Sequence, residues 1–140
     1  LPADFIARFS FTPTGGKTYR SVGMSFDVGE GSEVLVYLSA YASEPKLQVA
    51  FKRGTDYVYP PAGRQLREVK VGQRQDVVVR VRGPLINVEV NGQHALAYQL
   101  EVPRRPGSIE LITYDATADF LAFEAAALPA SERLNAPGSA

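Results

Sequence analysis

The chain has no cysteine, no tryptophan and a single histidine among its 140 residues. Without cysteine there is neither a disulfide framework nor a thiolate zinc site. An excess of one charge is also missing, because Lys plus Arg and Asp plus Glu number 15 each. Non-specific nucleic-acid binding needs a surplus of cations to release counterions, so that class of partner is excluded. The basic pairs in "KRG" and "PRRPG" are short, lack interleaved aromatics and belong to solvated turns. No apolar run approaches the roughly 20 residues of a membrane-spanning helix. The opening "LPADFIARF" has no basic start followed by an apolar block, so it is not read as a secretory leader. It is expected to begin a module within a longer protein. A chain of this length buries an ordinary core without a metal or disulfide staple, which points to one domain.

What the sequence does have is alternation. Phe5, Ala7, Phe9 and Phe11 share one face of "DFIARFSF", and Val22, Met24, Phe26 and Val28 share one face of "RSVGMSFDV". In "EVLVYLSAYA" Val34, Val36, Leu38 and Ala40 oppose Leu35, Tyr37, Ser39 and Tyr41. In "KLQVAFK" Leu47, Val49 and Phe51 oppose Lys46, Gln48, Ala50 and Lys52. "LREVKV", "DVVVRVR", "LINVEV", "ALAYQLEV", "SIELITYD" and "ADFLAFEA" continue the pattern. A period of two with β-branched and aromatic residues predicts half-buried strands. About ten of them exceed one ordinary sheet, so two packed antiparallel sheets are expected. Turn chemistry such as "PTGGK", "GEGS", "PPAG" and "PRRPG" recurs about every eight to twelve residues, the spacing of a sandwich. From Pro129 the composition turns to Ala, Ser, Pro and Gly, so residues 1–128 are read as the sandwich and 129–140 as a linker or tail.

"LINVEVNGQHALAYQL" joins two alternating runs through Asn91-Gly92, the strongest short hairpin signal, since a type I′ turn needs positive φ at both central residues. His94 follows the turn. A nucleophile triad would need an activated Ser or Cys beside it, and there is no Cys and no G-x-S-x-G elbow. A histidine metal site would need further nitrogen or sulfur ligands. His94 is therefore expected to be an exposed residue at a hairpin corner.

"DVVVRVRGPLINVEVNGQHALAYQLEVPRRPGSIELITYDATADFLAFEAAAL" resembles the closing half of a concanavalin A-like, laminin-G-like jelly roll, with "V-x-V-N-G" ending one strand and "P-G-x-I-x-L" opening the last. "FIARFSFTP" through "KLQVAFKRG" fits the opening strands of the same fold. The chain is similar to sandwich modules of large secreted bacterial proteins that carry cytochrome-c-like domains, and to 3-keto-disaccharide hydrolase-type sandwiches. The resemblance implies an all-β, two-sheet antiparallel jelly-roll sandwich (concanavalin A-like), carbohydrate recognition, and an extracellular, periplasmic or cell-surface location.

Glycoside hydrolysis needs two carboxylates across a cleft. The E-x-D-x-x-E spacing is absent; Asp115 with Asp119 and Glu30 with Glu33 fall in turns, and Glu89 stands alone. A non-catalytic role is therefore expected. Saccharide binding needs an aromatic platform for the apolar sugar face and several polar groups for the hydroxyls. With no Trp, the platform falls to Tyr37, Tyr41, Tyr57 and Tyr59, the last two in "KRGTDYVYPPAGR". Gln48, Lys52, Arg80, Asn87 and Glu89 are the polar candidates, on faces turned away from the core. Those strands are neighbours in the resembled fold, which implies one concave surface. The resemblance also implies a structural Ca²⁺, for which Asp115 and Asp119 of "YDATAD", and Asp27, Glu30 and Glu33 of "DVGEGSE", are candidate oxygen donors; no cofactor is required for binding. The expected ligand is a polysaccharide or oligosaccharide, with neighbouring domains of the parent chain as further partners and no nucleic acid or membrane. A structural or protein-interaction domain is the alternative reading, and a sugar-cleaving hydrolase the second.

Overall fold

The computed structural model describes residues 1–138. The strands are β1 (Phe5–Gly29), β2 (Ser32–Ser39), β3 (Lys46–Arg53), β4 (Asp56–Val58), β5 (Arg64–Leu66), β6 (Gln75–Arg82), β7 (Leu85–Val90), β8 (Gln93–Gln99) and β9 (Ser108–Ala127). One 3₁₀ turn, Pro61–Gly63, separates β4 from β5. The chain forms two compact units. The first comprises residues 1–11, 75–104 and 120–138, the second residues 12–74 and 105–119. Strands β1 and β9 each supply a stretch to both.

In the first unit the opening of β1 pairs antiparallel with β6, β6 with β7, and β7 with β8. The register aligns Phe5 with Val81, Ala7 with Val79 and Phe9 with Val77, so every second residue enters one apolar layer with Ile86, Val88 and Leu96. Each large side chain buried there contributes about 1.5–3 kcal/mol. The hairpin is as the Asn-Gly signal predicts, with φ of 53° at Asn91 and 83° at Gly92. His94 differs from expectation. A bulge between Val88 and Glu89 brings it into register with Glu89, where it is only partly exposed and its Nε2 is sealed without a partner among the described residues.

Residues 129–138 contain no strand. They are held along β6 and β7 by side chains of the polar face. Arg82 donates to the carbonyls of Glu132 (2.6 Å) and Pro129 (2.8 Å), and Asn87 exchanges two hydrogen bonds with the backbone of Asn135.

In the second unit residues 21–29 of β1 pair with β2, β2 with β3, and β3 with both β4 and β5, all antiparallel. Val22, Met24, Phe26, Val34, Val36, Leu38, Leu47, Val49 and Phe51 are buried on one face. The opposite face carries rows that run straight across the strands: Ser21–Ser39–Lys46, and Gly23–Tyr37–Gln48–Arg64.

Three expectations about elements are corrected. "PTGGK" is not a turn, and "DFIARFSF" and "RSVGMSFDV" are one continuous β1. Irregular backbone is absorbed instead at Gly16 and Arg20, and the segment is pinned where the Asp115 carboxylate accepts the backbone N–H groups of Thr18 and Tyr19 at 2.7 and 2.9 Å. "SIELITYD" and "ADFLAFEA" likewise merge into β9 through the supposed turn "DATAD". "LREVKV" is not a strand beyond Leu66; its Val69 is a buried anchor within a loop.

Candidate functional site

The site grows from the row Gly23–Tyr37–Gln48–Arg64. Glycine at position 23 is required by close approach. A β-carbon there would collide with the Val36 carbonyl oxygen and lie 2.5 Å from Tyr37 Cα and 2.8 Å from its Cβ, so only hydrogen fits. Gln48 is fully buried. Its Nε2 donates to the carbonyls of Val49, Pro60 and Gly63, and its Oε1 accepts from Arg64 Nε at 2.7 Å. That amide therefore ties β3 to the 3₁₀ turn and aims the Arg64 guanidinium, whose Nη2 also donates to the Tyr59 carbonyl.

Around this row stand the remaining tyrosines. Tyr19 packs on Tyr41 (centroids 5.1 Å apart) and on Tyr114 (6.0 Å), while Tyr57 and Tyr59 stack 6.3 Å apart at 23°. The spacing of two between Tyr57 and Tyr59 predicts that shared face. Together with Ser21, Leu35, Ser39, Lys46 and Ile112, these groups enclose a cavity of about 590 Å³, well within the range of small-ligand sites. Six of the chain's seven tyrosines line it. Only Tyr57 engages its hydroxyl, donating to Glu33 in a short hydrogen bond. The hydroxyls of Tyr19, Tyr37, Tyr41, Tyr59 and Tyr114 make no hydrogen bond within the described protein, so five phenols are open to a ligand.

Burial pushes the Tyr37 hydroxyl up to about 12, with Tyr59 adding to the rise and Arg64 opposing it. The hydrogen bond to Glu33 raises Tyr57 to about 12, helped by desolvation. Tyr59 is raised by burial and then by Tyr114, and Tyr98, the tyrosine of the first unit, by burial and its bond to Glu101. An unfolded tyrosine ionises near 10. Folding therefore favours the protonated phenols, a contribution complete below about pH 10 and lost as pH rises toward 12. Ultraviolet titration of tyrosinate is expected to show all seven ionising together in denaturant, while in the native protein Tyr37, Tyr57, Tyr59 and Tyr98 lag behind. A native curve superimposable on the denatured one would contradict this.

By sequence, no family model and no curated protein matches the chain. Among solved structures it is similar to the carbohydrate-binding module CBM66 from Bacillus subtilis, with TM-score 0.73 and 12% identity over 89% of this chain and 75% of that one. Sheep galectin-11, in complex with glycerol, matches with TM-score 0.68 and 9% identity over 90% of this chain and 92% of that one. The GH43 protein BlXynB from Bacillus licheniformis matches with TM-score 0.67 and 11% identity over 91% of this chain, which corresponds to 28% of that protein. The fold is an antiparallel jelly-roll β-sandwich.

This jelly roll brings Tyr37, Tyr41, Tyr57 and Tyr59 to one cavity, but it treats the polar candidates differently. Gln48 lies on the cavity floor with its amide fully engaged, because the loop after β4 folds over it. Lys52 does not line the cavity; its Nζ sits over the Tyr57 ring at 5.2 Å. Arg80, Asn87 and Glu89 do not line it either and belong to the first unit, where the tail engages their face. Arg80 donates to Glu132 at 2.6 Å and to Glu89 at 3.2 Å, and Asn87 is clamped to Asn135. Among the described residues no three His, Cys, Asp or Glu side chains, Asp115 and Asp119 included, are grouped to hold an ion. The Asp115 carboxylate is occupied by the N–H groups of Thr18 and Tyr19, which hold it below the usual carboxylate range.

Sequence reasoning missed Tyr19, Tyr114 and Lys46, and kept Arg64 only as a charged residue of the tyrosine-rich loop. Lys46 was within reach, since the period of two places it on the face of Gln48. Tyr19 and Tyr114 carry no local signal, because their approach depends on the pairing of β1 with β9 across almost a hundred residues of chain.

Proposed function

We propose that the chain is a non-catalytic carbohydrate-binding module that receives a saccharide in the tyrosine cavity. The observation that carries this reading is the convergence of six tyrosines on one cavity, five with free hydroxyls. A pyranose presents an apolar face that stacks on an aromatic ring and a rim of hydroxyls that need hydrogen-bond partners. Tyrosine offers both from one side chain at little entropic cost. The module named carbohydrate-binding among the similar structures supports the same reading. Binding rather than hydrolysis is favoured because no Asp or Glu is among the cavity's lining residues, whereas glycoside cleavage uses two facing carboxylates. Affinity is expected on the order of micromolar to millimolar, since water competes for each hydroxyl contact.

Native gels cast with chemically diverse soluble polysaccharides test this. At least one is expected to retard the protein. Tyr37→Ala and Tyr59→Ala are each expected to weaken retardation by about tenfold, equivalent to one ring contact of ~1.4 kcal/mol. Tyr59→Phe should retain most of the ring's share. No retardation by any glycan, with the folded state confirmed, would transfer support to the protein-interaction reading.

A further inference from the structure

We propose that the saccharide is an acidic one, whose oxyanion, a uronate carboxylate or a sulfate ester, is held between Arg64 and Lys46. This deepens the saccharide reading and rests on it.

The argument is a donor–acceptor balance. The charged side chains lining the cavity are Arg64 and Lys46, both cationic. The one lining amide, Gln48, is engaged at both ends and offers a ligand nothing. What remains to meet a ligand is a set of donors, together with the weak acceptor capacity of hydroxyl oxygens. A neutral sugar brings many hydroxyl donors and is usually met by carboxylate or amide acceptors; this lining has none to spare. An oxyanion only accepts, and so fits a donor-rich wall.

The two cations are also prepared for it. Arg64 is fixed through Nε by Gln48 and through Nη2 by the Tyr59 carbonyl, which leaves Nη1 without a partner among the described residues. A guanidinium held this way loses little freedom on binding. Lys46 donates to the backbone carbonyl and carboxylate of Glu44, at 3.0 and 3.2 Å, and its Nζ stands 5.3 Å over the Tyr41 ring, so the ammonium is held at the cavity wall with one proton not engaged by an oxygen of the described residues. Glu44 also lies 3.9 Å from Arg64 Nε. One carboxylate thus stands against two cations, leaving one positive charge in excess. Glu33 does not line the cavity and takes the Tyr57 hydroxyl. The Tyr37 hydroxyl, protonated at neutral pH like any ordinary tyrosine, is able to donate to the same anion.

The test compares binding to polygalacturonate and alginate, to their methyl-esterified forms, to a sulfated galactan and its desulfated form, and to neutral glucans and xylans. At least one acidic polymer is expected to bind. Removing its charge, or raising salt to about 0.5 M, should weaken binding at least about tenfold, because a partly exposed ion pair is screened. Loss on esterification assigns a uronate, and loss on desulfation a sulfate ester. Arg64→Gln and Lys46→Met should each reduce acidic binding several-fold, with Lys46→Met serving if the arginine variant unfolds. Binding of neutral polymers alone, unaffected by salt and by Lys46→Met, would overturn the acidic inference and leave the saccharide reading standing. Absence of binding to every polymer would overturn both.

Discussion

Gln48→Leu is expected to lower the stability of the protein by about 2–4 kcal/mol and to abolish ligand binding in the surviving folded fraction. Leucine matches the volume of glutamine but offers no hydrogen bond. Gln48 is wholly buried, so the Pro60 and Gly63 carbonyls lose a donor beneath the loop and Arg64 Nε loses its acceptor. Each buried polar group left unpaired costs about 1–3 kcal/mol. The functional consequence is larger than the energy alone indicates. The same amide orients the guanidinium and anchors the loop that carries Tyr59. Urea unfolding monitored by circular dichroism gives the stability change, and glycan retardation of the folded variant gives the binding change. A midpoint shift worth less than about 0.5 kcal/mol would contradict the structural role assigned to Gln48.

Gly23→Ala should be costlier than a one-carbon change usually is. The added methyl would press on the backbone and Cβ of Tyr37, at 2.5 and 2.8 Å, and the β1–β2 ladder that aligns these two residues leaves the neighbour little room to retreat. Overpacking of this kind costs about 1–3 kcal/mol. Tyr37 is the cavity's floor aromatic, so saccharide affinity should fall together with stability. Gly29→Ala is the matched control, because a β-carbon there meets nothing within 4 Å. The control is expected within about 0.5 kcal/mol of the parent, and equal effects at the two positions would sink the close-approach argument.

Alternation alone was enough to expose the layers. Val34, Val36 and Leu38 face inward because a strand turns its side chains every second residue, and burial needs a continuous apolar row. The same rule placed Tyr37 and Tyr41 on the other face, and two residues' spacing placed Tyr57 beside Tyr59. What alternation does not encode is the environment of that other face. Gln48 and Arg80 look alike on paper, as polar residues between apolar ones. One is capped by a loop some fifteen residues away in the chain, the other by a tail some fifty residues away. Continuity is equally hidden. Gly15 and Gly16 have the composition of a turn, yet Asp115 and Thr117, through their bonds to Thr18, Tyr19 and Thr14, hold that stretch extended. Tyr19 and Tyr114 follow from that same long-range pairing, so the side of the cavity they build was illegible, while its floor could be read from local pattern.

The claim on which the rest depends is that a saccharide enters among six tyrosines of the second unit. Absence of tryptophan makes the tyrosine rings the cleanest reporters. The direct measurement is a nuclear magnetic resonance titration of ring-labelled protein with an oligosaccharide that retards it. Resonances of Tyr19, Tyr37, Tyr41, Tyr57, Tyr59 and Tyr114 are expected to move together along one saturating curve, while Tyr98, buried in the first unit, stays in place. A ligand that saturates while leaving those six unmoved, or that shifts instead the backbone signals of Arg80, Asn87 and Glu89, would contradict the account.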